Sequence, residues 1–85
     1  MKVLIPSALR SYTEAGLTEA AGDTLGDVLA ELERRHPGLR FRIVDEQERI
    51  RRHIRVFVSG TQVTDLGHRL RSTDEIAIVQ ALSGG

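Results

Sequence analysis

The stretch "DTLGDVLAELERRHPG" (Asp23–Gly38) carries the clearest periodic signal in the chain. Leu25, Val28, Leu29 and Leu32 recur at i, i+3, i+4 and i+7, one apolar stripe of an α-helix. Asp23 or Thr24 can accept hydrogen bonds from the unpaired amides of the first turn. Asp27 and Glu31 lie toward the positive end of the helix dipole, and Arg34, Arg35 and His36 lie at its negative end. Pro37-Gly38 stops the helix. Gly26 costs roughly 1 kcal/mol against alanine, which points to close packing at that position or to simple tolerance.

A helix with one apolar stripe has to cover something, and the flanking segments supply strands. "KVLIP" (Lys2–Pro6) alternates, with Val3 and Ile5 on one face and Lys2 and Leu4 on the other. "ALRSYTEAG" reads as a turn region, and "GLTEAAGD" as a short strand of weak propensity closed by Gly22. "LRFRIVDEQERIRR" (Leu39–Arg52) is ambiguous: Leu39, Phe41 and Ile43 alternate before a polar turn. "HIRVFVSG" (His53–Gly60) is a strand with Ile54, Val56 and Val58 on one face. "SGT" turns the chain into a short strand at Gln62-Val63. "DLGHRLRSTD" is loop, anchored by Leu66 and Leu70, and "EIAIVQAL" (Glu75–Leu82) is the last strand. The predicted order is strand, strand, helix, strand, short strand, strand. Its compact solution is an α+β fold in which one main helix packs on one face of a mixed sheet. The other face is left to solvent or a partner.

Eighty-five residues make one small domain with a modest core. No apolar run approaches the roughly 18 residues of a membrane span. The opening "MKVLIPSALR" has too short an apolar stretch for a signal h-region of about 7–15 residues, and Pro6 breaks it. The expected compartment is therefore the cytoplasm. There is no cysteine, which excludes disulfides, thiolate catalysis and cysteine-based zinc sites. Net charge is zero but unevenly spread. All six charges from Glu14 to Glu33 are acidic, whereas eight arginines from Arg34 to Arg55 face only Asp45, Glu46 and Glu48. Lys2 is the one lysine.

Conventional chemistry is thin. His36, His53 and His68 lie far apart without H-x-x-x-H spacing, so no metal site is expected. No serine sits in a G-x-S-x-G elbow, and no glycine cluster makes a phosphate loop. "RIRRHIR" (Arg49–Arg55) lacks interleaved aromatics in a neutral chain. It suits a solvated edge or an acidic partner better than nucleic acid.

What remains is "IVQALSGG" (Ile78–Gly85). From Gln80 onward the chain can reach roughly 20 Å when extended. Gly84 and Gly85 lack Cβ and can thread a channel too narrow for other residues. The Gly85 carboxylate, with a pKa of about 3.3–3.7, is ionised at neutral pH. A carboxylate is a poor electrophile until another enzyme activates it, for instance as an acyl-adenylate. Gly85 is thus the expected reacting residue, with Leu82, Ser83 and Gly84 as the threading tail. Strand alternation also sets Leu4 against Val3 and Ile5, and Val79 against Ile76 and Ile78. With the helix over Val3, Ile5 and Ile78, residues Leu4, Pro6 and Val79 form an apolar docking patch on the open face.

The chain resembles the ubiquitin-like small sulfur carriers of the MoaD/ThiS family. The likeness runs nearly end to end, through "KVLIPSALR", "GDTLGDVLAELERRHPGL", "RVFVSGTQV" and "STDEIAIVQALSGG". The stretch "RRHIRVFVSG" and the polar segment before it look most like the cysteine-biosynthesis branch of actinobacteria. The resemblance implies a β-grasp domain over residues 1–80 and a flexible tail over 81–85 ending in Gly-Gly. It implies no bound cofactor, ATP being used by an E1-like adenylyltransferase that activates Gly85. It further implies a sulfur donor (sulfide, a rhodanese or a cysteine desulfurase), a thiocarboxylate on Gly85, and a downstream sulfur-accepting synthase. Cysteine, molybdopterin, thiamine, tRNA and thio-natural-product pathways all fit. Family members often carry proline before the tail, where this chain has Gln80-Ala81. Two other functions suit the same fold: a protein modifier joined to lysines through Gly85, and a passive interaction module.

Overall fold

The computed structural model describes residues 1–81. Its elements are β1 (Lys2–Leu4), a 3-10 turn (Ser7–Leu9), α1 (Arg10–Thr13), β2 (Leu17–Glu19), α2 (Leu25–Arg35), α3 (Leu39–Ile43), β3 (Ile54–Val58), β4 (Thr61–Val63) and β5 (Ile76–Gln80). The strands form one five-stranded sheet in the order β2-β1-β5-β3-β4. β1 runs parallel to β5, and the other neighbours are antiparallel. This is the mixed sheet with one main helix that the alternation and the single stripe predict, in the β-grasp arrangement that the resemblance implies.

The stripe of α2 is fully inward: Leu25, Val28, Leu29 and Leu32 are completely buried. They join Val3, Ile5, Ile54, Val56, Val58, Ile76 and Ile78 from the sheet in one core. Thr24 is the N-cap, in extended conformation with its Oγ1 accepting from the Asp27 N–H. Asp23 instead gives its carbonyl to the Leu70 N–H, 2.9 Å. The loop after β4 crosses the start of α2. The Leu25 N–H donates to the His68 carbonyl at 3.0 Å and the Gly26 N–H to the Leu66 carbonyl at 2.8 Å. A Cβ at Gly26 would meet that Leu66 oxygen at 3.3 Å. Close approach, rather than tolerance, accounts for Gly26.

α2 ends as the sequence indicates. Gly38 takes φ +97°, a left-handed value that other residues adopt at a cost. The Glu33 carboxylate then accepts from the Gly38 N–H (2.9 Å) and the Arg40 N–H (3.0 Å), stitching the start of α3 to the last turns of α2.

Two segments differ from the sequence reading. Leu39–Ile43 is helical, so its apparent alternation is not that of a strand. Leu39 and Ile43, four apart, are buried, and Phe41 between them is 55% exposed. Five residues do not distinguish period 2 from period 3.6 when both ends are apolar. The supposed turn region holds the 3-10 turn and α1, which bury Leu9 under the sheet end.

β5 is anchored at its start by Asp74. Its carboxylate accepts from the Arg71 N–H and the Ser59 hydroxyl, both at 2.8 Å, and these bonds hold it below the ordinary aspartate range. Asp45 is lowered likewise, chiefly by the Arg49 N–H, and Glu31 by the side chains of Arg34 and Arg35. For a depressed carboxylate, stability is present above the unfolded-state value and lost as pH falls through the folded one. The expected result is a flat stability profile from neutrality down to the unfolded values, 3.8 for aspartate and 4.5 for glutamate, and a decline below them. Asp74→Asn should shallow that decline in acid-melting experiments without changing its onset. An unchanged acid limb would show that the Asp74 bonds contribute nothing.

Candidate functional site

β5 lies at the centre of the sheet, and this placement gives the site its geometry. Ile76 is in register with Val3 of β1 and Val58 of β3, Ile78 with Val56, and Gln80 with Ile54. Beyond the strand, the Ala81 N–H donates to the His53 carbonyl at 2.7 Å. β1 holds β5 at Ile76 and Ala77, and β3 holds it along its whole length through Gln80. Leu82, Ser83, Gly84 and Gly85, where the sequence reading puts threading and reaction, lie outside the described residues.

Leu4 and Val79 stand on the open face, 46% and 42% exposed, while their strand neighbours Val3, Ile76 and Ile78 are buried. Pro6 is half-buried and lines a groove together with Ser7, Ala8, Val79, Gln80 and Ala81. Pro6 and Val79 therefore meet at the root of the tail. Leu4 opens onto a separate depression nearer the start of β5, bordered by Phe57, Glu75 and Ala77.

The register extends the patch beyond the residues that sequence reasoning named. Leu4 pairs with Leu17 on β2 and with Ala77 on β5, and Ala77 pairs with Phe57 on β3. Leu17, Leu4, Ala77 and Phe57 thus form an apolar row across four strands, with Leu17 48% exposed. Alternation signals Phe57 and Ala77, since each flanks buried β-branched residues. Their alignment with Leu4 depends on the parallel β1–β5 pairing, which no local pattern encodes. Arg55 pairs with Val79 on the same face.

Among the described residues no group of three histidine or acidic side chains is arranged to hold a metal. His36 Nε2 lies 3.5 Å from the Thr18 hydroxyl, and His53 and His68 sit exposed in turns. No described helix is long and apolar enough to cross a membrane. The open face thus presents Leu4, Leu17 and Val79 as exposed apolar side chains.

Comparison with known proteins agrees with this geometry. Sulfur carrier protein CysO of Mycobacterium tuberculosis is 30% identical over 89 residues, covering 98% of this chain and 96% of the relative. The crystal structure of Mycobacterium tuberculosis CysO superposes with a TM-score of 0.90, at 29% identity over 95% of this chain and 98% of that one. A crystal structure of the Amycolatopsis orientalis BexX/CysO complex contains a chain that is 33% identical, covering 99% of this chain and 98% of its own, with a TM-score of 0.91. The solution structure of small archaeal modifier protein 1 from Methanosarcina acetivorans is 27% identical, over 99% of this chain and 94% of that one, with a TM-score of 0.81. Residues 3–85 match the ThiS family, and with the sheet order, the buried helix stripe and the central last strand all in place, the chain belongs to that family.

Proposed function

We propose that this protein is a sulfur carrier that works through the carboxylate of Gly85. An E1-like enzyme adenylates that carboxylate with ATP. Sulfide displaces AMP to give the thiocarboxylate directly. Alternatively, a persulfide displaces AMP to give an acyl disulfide, which a second thiol cleaves to the thiocarboxylate, itself becoming part of a disulfide. The thiocarboxylate then passes its sulfur to a downstream biosynthetic enzyme. The chain is a co-substrate without an active site of its own; ATP is bound by the activating partner. The reading suits the cytoplasm, where ATP is at hand.

The observation that carries it is the match to the ThiS family through residue 85 on a fold whose central strand leads directly into that segment. The CysO relatives favour the cysteine branch that the resemblance suggested. That one such relative is known in a complex with BexX supports a role exercised through a partner protein. Leu82, Ser83 and Gly84 form the segment drawn into the partner, and Leu4, Pro6 and Val79 its docking patch.

Val79 gives a direct test of the docking patch. It is exposed beside the tail root, so Val79→Asp should melt as wild type does. In the docked state a charge would replace the apolar contact, and part of its desolvation cost of about 2 kcal/mol or more would remain even with Arg55 opposite it on β3. The expected outcome is a fall of roughly tenfold or more in kcat/KM for activation by the cognate E1-like enzyme. Unchanged activation kinetics would remove Val79 from the interface.

A second reading rests on the likeness to the archaeal modifier protein. In it the activated Gly85 is joined to a lysine of a target protein. Mass spectrometry of protein isolated from cells separates the two: the carrier reading expects a thiocarboxylate on Gly85, and an isopeptide to a target lysine would favour the modifier.

A further inference from the structure

The root of the tail carries a second surface that the open sheet face does not include. Phe41, Arg42, Arg51 and His53 line a shallow depression that reaches Gln80, the last residue of β5. Phe41 is 55% exposed, and the Arg51 guanidinium lies over its ring, 4.5 Å from the centroid. Arg51 Nε also donates to the Phe41 carbonyl at 2.7 Å, which fixes the stack from a second direction. On the adjoining sheet face Arg55, level with Val79, is held by the carbonyls of Arg52 and Ile54.

Among the described residues, Arg42, Arg51 and Arg55 make no ion pair. Of the nearest acids in sequence, Glu48 pairs with Arg40 at 3.0 Å, Asp45 accepts from the backbone of Gln47 and Arg49 with the Arg51 charge also acting on it, and Glu46 is exposed. Exposed aromatic rings and arginines are enriched at protein interfaces, and a pre-stacked arginine loses little freedom on docking.

We infer that this collar of arginines docks against a carboxylate-lined rim around the tail channel of the activating enzyme. The inference rests on the carrier reading and adds the chemistry of the partner surface. A tail carboxylate approaching the ATP triphosphate meets like-charge repulsion. The tail "ALSGG" has no cation to offset it. Arginines at the root of the tail supply an attraction that acts as the chain enters, and such an attraction steers encounter more than it alters chemistry.

The test is steady-state activation by the cognate E1-like enzyme, with ATP and sulfide, at low and high salt. Arg42→Glu should raise KM for the carrier about tenfold at low salt while leaving kcat within roughly twofold, and the difference should shrink at high salt as charges are screened. Arg42→Lys should stay near wild type, and Phe41→Ala should raise KM at both salt concentrations. Arg71→Glu, at the opposite end of β5, serves as control and should change nothing. A KM for Arg42→Glu equal to wild type at low salt would overturn the inference while leaving the carrier reading intact. A rise in KM that is the same at both salt concentrations would overturn the acidic rim. Failure of wild type to be activated at all would overturn the carrier reading and this inference with it. Binding of a labelled single-stranded oligonucleotide more tightly than the enzyme would assign the collar to nucleic acid instead.

Discussion

Replacing Gly84 by valine should abolish thiocarboxylate formation and leave the thermal transition where it is in wild type; deleting Gly85, or adding one residue after it, should do the same. All three outcomes follow from one physical requirement. The carboxylate must reach the α-phosphate of ATP in line for attack, and a misplacement of about 1 Å can cost 10²-fold in rate. On the carrier reading, a β-branched side chain at position 84 would obstruct a passage sized for bare backbone. Losing or gaining one residue moves the carboxylate by roughly 3.3–3.6 Å along an extended chain. The core, by contrast, is drawn from Val3 to Ile78, so none of the changes touches it. Intact-protein mass after incubation with the cognate enzyme, ATP and sulfide reads the first effect, and a melting curve reads the second. Sulfur uptake by an extended protein that has not first been trimmed would show that the position of the carboxylate is not controlled.

Leu29→Ala has the opposite profile. Leu29 is completely buried at the middle of the α2 stripe. Its truncation leaves a cavity against the sheet and should cost about 2–5 kcal/mol. Small domains have only about 5–15 kcal/mol in total, so this loss takes a large share of it. For a chain of this length the melting temperature should fall on the order of 10–30 °C. At temperatures where the variant remains folded, its tail should still be activated, because residue 29 lies on the far side of the sheet from Val79. A melting curve matching wild type would mean that the stripe does not form the core.

The contrast between these two variants follows what was legible in the sequence. The α2 stripe was readable because four leucine and valine positions over eight residues fit one period and no other. The β3 alternation of Ile54, Val56 and Val58 was readable for the same reason. Leu39–Ile43 was not: its apolar positions suit either period, and only burial of Leu39 and Ile43 beneath α2 decides for the helix. The Glu33 stitch that orders this helix depends on how two segments meet, which periodicity does not report. At the site, alternation alone exposed Leu4 and Val79. The row from Leu17 to Phe57 required the β1–β5 pairing between residues more than 70 apart in sequence. The arginine collar was visible as a charge run, but its closeness to Gln80 comes from the turn that brings His53 against Ala81.

The sulfur-carrier function rests on the chemistry of Gly85. The most direct measurement is the intact mass of the wild-type protein after reaction with its cognate activating enzyme, ATP and a sulfide source. A sulfur carrier should show a single replacement of oxygen by sulfur, located on Gly85 by fragmentation and absent when ATP is withheld. A wild-type protein that keeps its original mass in the presence of an enzyme shown to be active would contradict that function.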